Sequence, residues 1–263
     1  MSCSRLLALV VVALALAGCS STPKDENTTA ATEKLYADAK DDIAAGSYER
    51  AIKSLERVEG RAAGTLLAQQ AQLDLAYVYW KTGERAQAIT TLDRFIKLHP
   101  SSPAFDYALY LRGVVNFNDN LGIFGNLSGQ DLAERDQQAS RDAFQSFKQL
   151  AEQFPQSKYA ADARVRMDYI VNSLAAHEVH VARYYFRRGA YVAAANRAQR
   201  SVQEFPQTPS TEEALSLLVA SYDRLGLEPL RDDAERVLKK NFPDSRYFSE
   251  GVRDRRRLWW QIW

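Results

Sequence analysis

The sequence predicts an all-α protein made of repeated helix pairs, and three observations support this. The 263 residues are rich in Ala, Leu, Arg, Gln and Glu and include only 12 Gly and 8 Pro, a composition that favours helices. A glycine is followed by a proline seventeen positions later at three places. Apolar residues recur at helical spacing between these glycines and prolines. A hydrophobic content of 46% in a chain of this length is sufficient for a sizeable core.

The interval from glycine to proline marks the two ends of the second helix in each predicted pair. The three intervals run from Gly83 to Pro100, from Gly189 to Pro206 and from Gly226 to Pro243. Gly46 keeps the upstream half of the pattern, with Ala63 at the position of the proline. Glycine suits a left-handed turn between two helices, and proline ends a helix. An aromatic residue precedes Pro206 and Pro243, and His99 has the same place before Pro100. We therefore predict a packing position for His99.

Small and large apolar residues recur at helical spacing along the predicted second helices. They are Ala51, Leu55 and Val58; Ala88, Leu92 and Phe95; and Ala143, Phe147 and Leu150. This arrangement resembles the tetratricopeptide repeat, a helix pair of about 34 residues. We predict a tetratricopeptide-repeat superhelix of about five helix-turn-helix repeats over residues 33–244. The helix-ending prolines Pro100, Pro155 and Pro206 lie further apart than the glycines Gly46 and Gly83 or Gly189 and Gly226, so we expect the middle helices to be longer or to carry insertions.

The N-terminus has the composition of a secretory signal. Arg5 precedes an apolar run that ends at Ala17 and is shorter than the ~20 residues that a spanning helix needs. The end of the run leads into LAGC, residues 16–19, which resembles the bacterial lipobox. We predict a lipoprotein signal peptide over residues 1–18 and lipid attachment at Cys19.

The residues after the predicted lipid site are polar, and we expect a lipidated flexible tether over residues 19–32. By resemblance to known sorting rules, Ser20 directs the protein to the outer membrane, where the lipid would anchor it at the periplasmic face. Cys3 leaves with the signal, so no cysteine pair remains for a disulfide. Removal of Arg5 leaves equal numbers of basic and acidic residues. No global field then favours a nucleic acid partner.

Two segments depart from the repeat pattern. Residues 118–131 form a glycine-rich insertion with four apolar residues, which either folds back on its own repeat or contacts a partner. Residues 245–263 end in RDRRRLWWQIW. They suit either a C-terminal capping helix for the last repeat or a basic and aromatic tail at a membrane surface.

The sequence has no pattern that indicates catalysis. His177 and His180 are three positions apart, but no further His or Cys completes a zinc site, so we interpret this stretch as ordinary helix surface. No nucleophile motif or phosphate-binding loop is present. We expect no catalytic residue, no metal site and no cofactor.

Three stretches carry a resemblance to a known family. HPSSPAFDYALYLRGVVNF, SRDAFQSFKQLAEQFPQSKY and HVARYYFRRGAYVAAANR, together with the lipobox and the irregular third repeat, resemble the BamD family of lipoproteins of the β-barrel assembly machinery. The resemblance covers about residues 33–245. It implies that the N-terminal repeats receive unfolded outer-membrane β-barrel proteins and that the C-terminal repeats dock on the POTRA domains of BamA. It also implies BamC and BamE-like lipoproteins as partners. The Arg- and Trp-rich ending departs from the family.

The first helix of each pair lines the groove in tetratricopeptide repeats. Tyr77, Trp80, Tyr107 and Tyr110 lie on predicted first helices and are our candidates for a peptide groove, although helical spacing also suits a core position for some of them. Aromatic side chains offer a large contact area with a polar group, which suits extended peptides.

The helix after Gly189 carries two different faces. Tyr191, Ala194, Ala198, Val202 and Phe205 share one stripe and should pack between helices, while Arg197, Arg200 and Glu204 lie on the opposite stripe. By resemblance, Asn196 and Arg197 lie in the region that faces BamA, where a guanidinium group can bind a carboxylate through two hydrogen bonds. The alternative is a solvated face with an Arg200–Glu204 ion pair. We expect Arg197→Leu to weaken partner binding without lowering the melting temperature.

A second function stays open from sequence alone. A pilotin-like tetratricopeptide lipoprotein would escort a secretin for type IV pilus assembly, but such proteins carry more regular repeats than this chain. An enzyme is a distant third interpretation, because it would require a set of catalytic residues that the sequence does not reveal.

Overall fold

A computed structural model describes residues 26–117 and 137–252 of the chain, and within these ranges the secondary structure is helical without strands. Several predicted features lie outside the described residues: the signal peptide at 1–18, the lipid site at Cys19, the insertion at 118–131 and the tail from residue 253 onward. None of the helices in the described ranges is both long and apolar enough to cross a membrane.

The described residues form five consecutive helix pairs and a final single turn. The pairs are α1 (Glu26–Ala44) with α2 (Tyr48–Arg61), α3 (Leu66–Lys81) with α4 (Arg85–Leu98), α5 (Phe105–Asn116) with α6 (Gln138–Gln153), α7 (Ala160–Arg187) with α8 (Tyr191–Glu204), and α9 (Thr211–Arg224) with α10 (Glu228–Asn241), followed by α11 (Tyr247–Glu250). The predicted all-α fold of five helix pairs is confirmed. Helix α7 has 28 residues, so a longer middle helix is confirmed as well.

The helix pairs belong to two compact units. The first unit contains α1 to α4, and the second contains α5 to α11. Ala51, Leu55 and Val58 of α2 pack with residues of α1 and α3 in the core of the first unit. In the second unit, Val179 and Leu217 are central to a core that α7 to α10 share. Consecutive helices within each unit therefore bury their apolar faces against one another.

The glycine turns between paired helices take the predicted left-handed conformation. Gly83 has a φ of 85°. Its N–H donates to the carbonyl of Trp80 at 3.1 Å, and the N–H of Glu84 donates to the carbonyl of Tyr79 at 2.8 Å. These two bonds satisfy carbonyl groups that the end of α3 would otherwise leave without partners. Equivalent turns at Gly46, Gly189 and Gly226 have φ values of 72°, 75° and 68°.

The second helices end before the predicted prolines. Helix α8 ends at Glu204, and Phe205 leaves the helical conformation with φ −134° and ψ 54°, as expected for a residue that precedes proline. Phe205 is buried, while His99 is half-buried in the corresponding position. The aromatic position before the prolines therefore packs against the protein.

The predicted apolar residues of the second helices form the interior. Each of the nine residues predicted in α2, α4 and α6 is 0% exposed: Ala51, Leu55, Val58, Ala88, Leu92, Phe95, Ala143, Phe147 and Leu150. In α8, Ala194 and Ala198 are also fully buried, while Tyr191 and Val202 are partly buried. The stripe predicted on α8 is confirmed.

One predicted boundary differs from the structure. The flexible tether was expected to reach residue 32, but α1 begins at Glu26 and Thr32 is buried. Polar composition was misleading here, because Leu35 and Tyr36 pack against the core of the first unit and the helix continues upstream from them. At the other end, the described part of the segment predicted as a capping helix or a tail contains the single turn α11 and Val252, which packs against the core of the second unit.

One close contact between helices was not predicted. Gly113 of α5 faces the ring of Phe147 in α6, and a Cβ atom on Gly113 would clash with Phe147 Cε1 and lie 2.7 Å from Phe147 Cδ1. No side chain fits in that distance, so glycine sets the separation of α5 and α6 at this point. Phe147 is fully buried and has little room to move.

We predict that Gly113→Ala lowers the free energy of unfolding by about 1–3 kcal/mol, the usual cost of overpacking a core. Gly60→Ala is the matched control, since Gly60 lies in α2 and its added Cβ would meet no atom within 4 Å. That control should leave stability unchanged or raise it by up to about 1 kcal/mol. Urea unfolding of both variants measures the difference. Equal effects at the two positions would contradict the steric role of Gly113.

Candidate partner-binding surfaces

Tyr77 and Trp80 lie side by side on α3 in the first unit. Their ring centroids are 5.8 Å apart in an edge-to-face arrangement, and the Lys81 ammonium lies 5.4 Å from the Trp80 ring and 5.9 Å from the Tyr77 ring. Both rings are half-buried, and Tyr77 also packs against the core. This α3 aromatic pair thus combines a core contact with an accessible surface, which explains why sequence spacing did not separate the two roles.

Tyr107 and Tyr110 lie on α5 in the second unit, and both contact the ring of Tyr159. Tyr110 stacks on Tyr159 with centroids 4.7 Å apart and an angle of 17° between ring planes. Tyr107 lies 5.5 Å from the same ring. Tyr159 directly precedes α7, so the first helices of two adjacent pairs provide the cluster. Tyr159 was not predicted from the sequence, because only the packing of the start of α7 beside α5 brings it there.

The aromatic cluster continues along α7. Phe117 lies edge to face with Tyr169 at 5.7 Å, and the guanidinium of Arg166 lies 5.1 Å from the centre of the Phe117 ring. Val165 and Tyr169 are 68% and 46% exposed, so apolar side chains of α7 reach solvent beside these rings. We name Tyr107, Tyr110, Phe117, Tyr159, Arg166 and Tyr169 the α5–α7 aromatic surface.

The four predicted groove residues divide between the two units. Tyr77 and Trp80 are brought together in the first unit, and Tyr107 and Tyr110 are brought together in the second. Each pair is on the first helix of its repeat, as expected for residues that line a tetratricopeptide groove.

A hydrogen-bonded carboxylate holds the Tyr110 ring. The Tyr110 hydroxyl donates to Asp162 Oδ2 at 2.9 Å, and Arg166 Nε donates to the same oxygen at 2.6 Å. Burial raises the pKa of Tyr110, and the bond to Asp162 and its charge raise that pKa further, while Arg166 opposes them. Partial burial alone would raise the pKa of Asp162, but the hydrogen bonds from Arg166 and Tyr110 and the Arg166 charge outweigh it, so that this pKa is lowered.

Charged residues of α8 meet a buried carboxylate of α7. Glu178 is 2% exposed. Arg197 Nη1 donates to Glu178 Oε2 at 3.1 Å, and Arg200 Nη1 lies 3.6 Å from Glu178 Oε1. Glu204 Oε1 lies 3.9 Å from Arg200 Nε, and Glu204 Oε2 lies 3.9 Å from Arg141 Nη1 of α6. We name these five residues the α6–α8 charge cluster.

This cluster corrects two expectations. The stretch from His177 to His180 was interpreted as ordinary helix surface, but that is wrong for Glu178 and Val179, which are both buried. Arg197 was expected to contribute nothing to stability. Because it is paired with a buried carboxylate, we now expect Arg197→Leu to lower the melting temperature. Asn196, the other predicted partner-binding residue, is exposed on α8.

We predict that Tyr110→Phe raises the pKa of Asp162 towards its ordinary value, because one of the two hydrogen bonds to this carboxylate is lost. The stabilising contribution of Asp162 is present above the ordinary aspartate pKa and is lost as the pH falls through the folded-state pKa. The loss of stability in acid should therefore be smaller in the variant. Carboxyl NMR titration measures the pKa.

The control for this prediction is Tyr159→Phe, which keeps the stacked ring and the Tyr110 hydroxyl. It should leave the pKa of Asp162 unchanged. An unchanged Asp162 pKa in Tyr110→Phe would mean that the 2.9 Å contact does not persist in solution.

Comparison with known proteins places the chain in a family. The family model YfiO, described as an outer membrane lipoprotein, matches residues 28–238. Outer membrane protein assembly factor BamD of Neisseria meningitidis serogroup B is 43% identical, over 98% of this chain and 99% of the relative. The factor of the same name from Haemophilus influenzae is 36% identical over 90% of each chain.

Among solved structures, a tetratricopeptide repeat protein from Parabacteroides merdae matches 81% of this chain and 80% of its own, with 13% identity and a TM-score of 0.36. With the described helix pairs and the sequence relatives taken together, the chain belongs to the BamD family of outer membrane lipoproteins.

Proposed function

We propose that this protein is a non-catalytic scaffold for the assembly of β-barrel proteins in the outer membrane. The observation that carries the proposal is 43% identity, over nearly the whole chain, to a protein named as an outer membrane protein assembly factor. The helix pairs give such a scaffold its form, since repeat proteins present extended binding surfaces. The function needs no cofactor, because binding alone would recruit the substrate and its partners.

The aromatic surfaces are the sites that we propose for unfolded β-barrel substrates. An unfolded chain presents extended segments with aromatic and aliphatic side chains, and half-buried rings with hydroxyl groups at their edge suit such segments. Tyr77 and Trp80 offer a ring pair with a cation beside it. Tyr107 and Tyr110 offer a stacked cluster. Both sets lie on first helices of their repeats.

We propose that the C-terminal repeats dock on the POTRA domains of BamA through Asn196 and Arg197. Asn196 is exposed, and the Arg197 side chain keeps 35% of its surface accessible beyond its contact with Glu178. BamC and BamE-like lipoproteins complete the proposed complex. Lipid on Cys19 would hold the protein at the periplasmic face of the outer membrane, because several acyl chains together anchor a protein firmly.

We predict that depletion of this protein lowers the levels of outer-membrane β-barrel proteins in general. Quantitative proteomics of outer-membrane fractions measures these levels, with periplasmic proteins as the internal control. Loss of type IV pili alone, with other barrel proteins unchanged, would contradict the proposal and support the pilotin-like function instead.

We predict that Tyr77→Ala with Trp80→Ala reduces crosslinking of the protein to a C-terminal peptide of a β-barrel substrate by about tenfold or more. Aromatic anchors of a binding surface each contribute about 2 kcal/mol or more when they are hot spots, and tenfold corresponds to 1.4 kcal/mol. Photo-crosslinking yield against peptide concentration is the measurement, with circular dichroism as the check on folding.

Leu66→Ala with Leu98→Ala is the matched control for this crosslinking experiment. These leucines are 63% and 60% exposed in the same unit, so their removal takes away exposed apolar area without the rings. The control should keep the wild-type yield. A wild-type yield in the aromatic double variant would remove the α3 aromatic pair from the substrate site.

A further inference from the structure

Glu178 is a carboxylate that the fold keeps out of solvent between two arginines. It lies in α7 with 3% of its side chain exposed, and its two oxygens are 3.1 Å from Arg197 and 3.6 Å from Arg200. Burial of a carboxylate is costly unless cations and hydrogen bonds compensate it. The Glu178 carboxylate therefore holds both guanidinium groups of α8 beside it, because their positive charge compensates the cost of its burial.

The arginines keep hydrogen-bonding capacity beyond this contact. A guanidinium group has five N–H donors in a rigid plane, and Arg197 uses one nitrogen, Nη1, for Glu178. The side chains of Arg197 and Arg200 remain 35% and 48% exposed. They are three positions apart on one helix, so both lie on the same face. Exposed Asn196 lies beside Arg197 in the sequence.

The accessible part of the charge cluster is positive. Arg141, Arg197 and Arg200 are each at least 35% exposed on their side chains, and Glu204 is 46% exposed, whereas Glu178 is almost completely buried. A partner that approaches α8 thus meets three cations and one accessible carboxylate. Such a surface fits a carboxylate group, which a planar guanidinium can bind through two parallel hydrogen bonds.

We propose that Glu178 is a positioning residue, which fixes the Arg197 and Arg200 guanidinium groups so that they bind a carboxylate on the docking partner. This inference rests on the proposed function, in which α8 docks on the POTRA domains. The physical reason is that a long side chain loses conformational freedom when it enters an interface. Because Glu178 has already ordered both arginines in the free protein, less freedom is lost on binding.

Positioning and net charge give opposite expectations for Glu178→Gln. The amide keeps the shape of the side chain but removes one negative charge, so a cluster that acted only through its charge would bind an acidic partner more tightly. If the carboxylate orients the arginines, the same variant binds less tightly. The direction of the change therefore separates the two roles.

The experiment measures binding of the full-length lipoprotein, in detergent, to purified POTRA domains of its own BamA. We expect Glu178→Gln to raise the Kd about tenfold, mainly through faster dissociation. In the background of Arg197→Gln with Arg200→Gln, Glu178→Gln should cause no further loss, because nothing remains for it to position. Arg197→Lys should weaken binding similarly, since it keeps the charge without the planar group.

Ser201→Ala is the matched control, because it weakens the packing of α8 against α7 without changing Glu178 or its arginines. Ser201 is fully buried in α8, and its hydroxyl donates to the carbonyl of Ala175 in α7 at 3.4 Å. This variant should lower the melting temperature and keep the wild-type Kd.

Three outcomes would overturn the inference: unchanged or tighter binding by Glu178→Gln, equal weakening by Ser201→Ala, or further weakening by Glu178→Gln in the double-arginine background. If Glu178→Gln does not fold, Glu178→Asp tests the same point, because the shorter side chain retracts the carboxylate while it keeps the charge. Failure of the wild-type protein to bind the POTRA domains would overturn the proposed docking itself and the inference with it.

Discussion

The structure depends on the close approach of neighbouring helices over small buried residues. Ala51, Ala88, Ala143, Ala194 and Ala198 are all 0% exposed on the second helices of their pairs. The small side chain of alanine allows two helix backbones to approach closely. Its methyl group fills the space between the helices at the density of a protein interior. Phe95 and Phe147 are enclosed in this interior, whereas Tyr77, Trp80, Tyr107 and Tyr110 on the first helices are half-buried and keep part of each ring in solvent. The aromatic surfaces are thus a consequence of how the helices pack.

The features that could be predicted from sequence are those that depend only on residues close together in the chain. A glycine with positive φ, a proline after the last helical residue and an apolar stripe of period 3.6 each leave a mark within one helix pair. Gly113 and Glu178 leave no such mark. Their roles come from Phe147 in the next described helix and from Arg197 beyond a turn, and no spacing rule selects those partners. Tyr159 was missed for the same reason, since its ring belongs to a cluster whose members come from different helix pairs.

The two aromatic sites differ in how firmly the protein holds their rings. Tyr110 is held by a stacked ring and by the Asp162 carboxylate, which Arg166 also binds. Trp80 has an edge contact with Tyr77 and the Lys81 ammonium 5.4 Å from its ring. A ring that is already fixed loses little freedom when a peptide covers it, whereas a freer ring adapts to different side chains. A scaffold that receives many unfolded chains, as we propose for this protein, would have use for both properties.

The buried ion pair between α7 and α8 raises the question of why an apolar contact does not fill its place. Burying charges seldom stabilises a protein more than well-packed hydrophobic residues would, and removing one partner is costly. An apolar pair would hold α8 against α7, but it would leave Arg200 with only the exposed Glu204 carboxylate, 3.9 Å from its Nε, as an ion-pair partner. Glu178 instead contributes both to the packing of α8 against α7 and to the orientation of Arg197 and Arg200. In the docking that we propose, stability and partner recognition would depend on the same side chains, so a substitution at Arg197 would affect both, and only a variant that preserves packing could separate them.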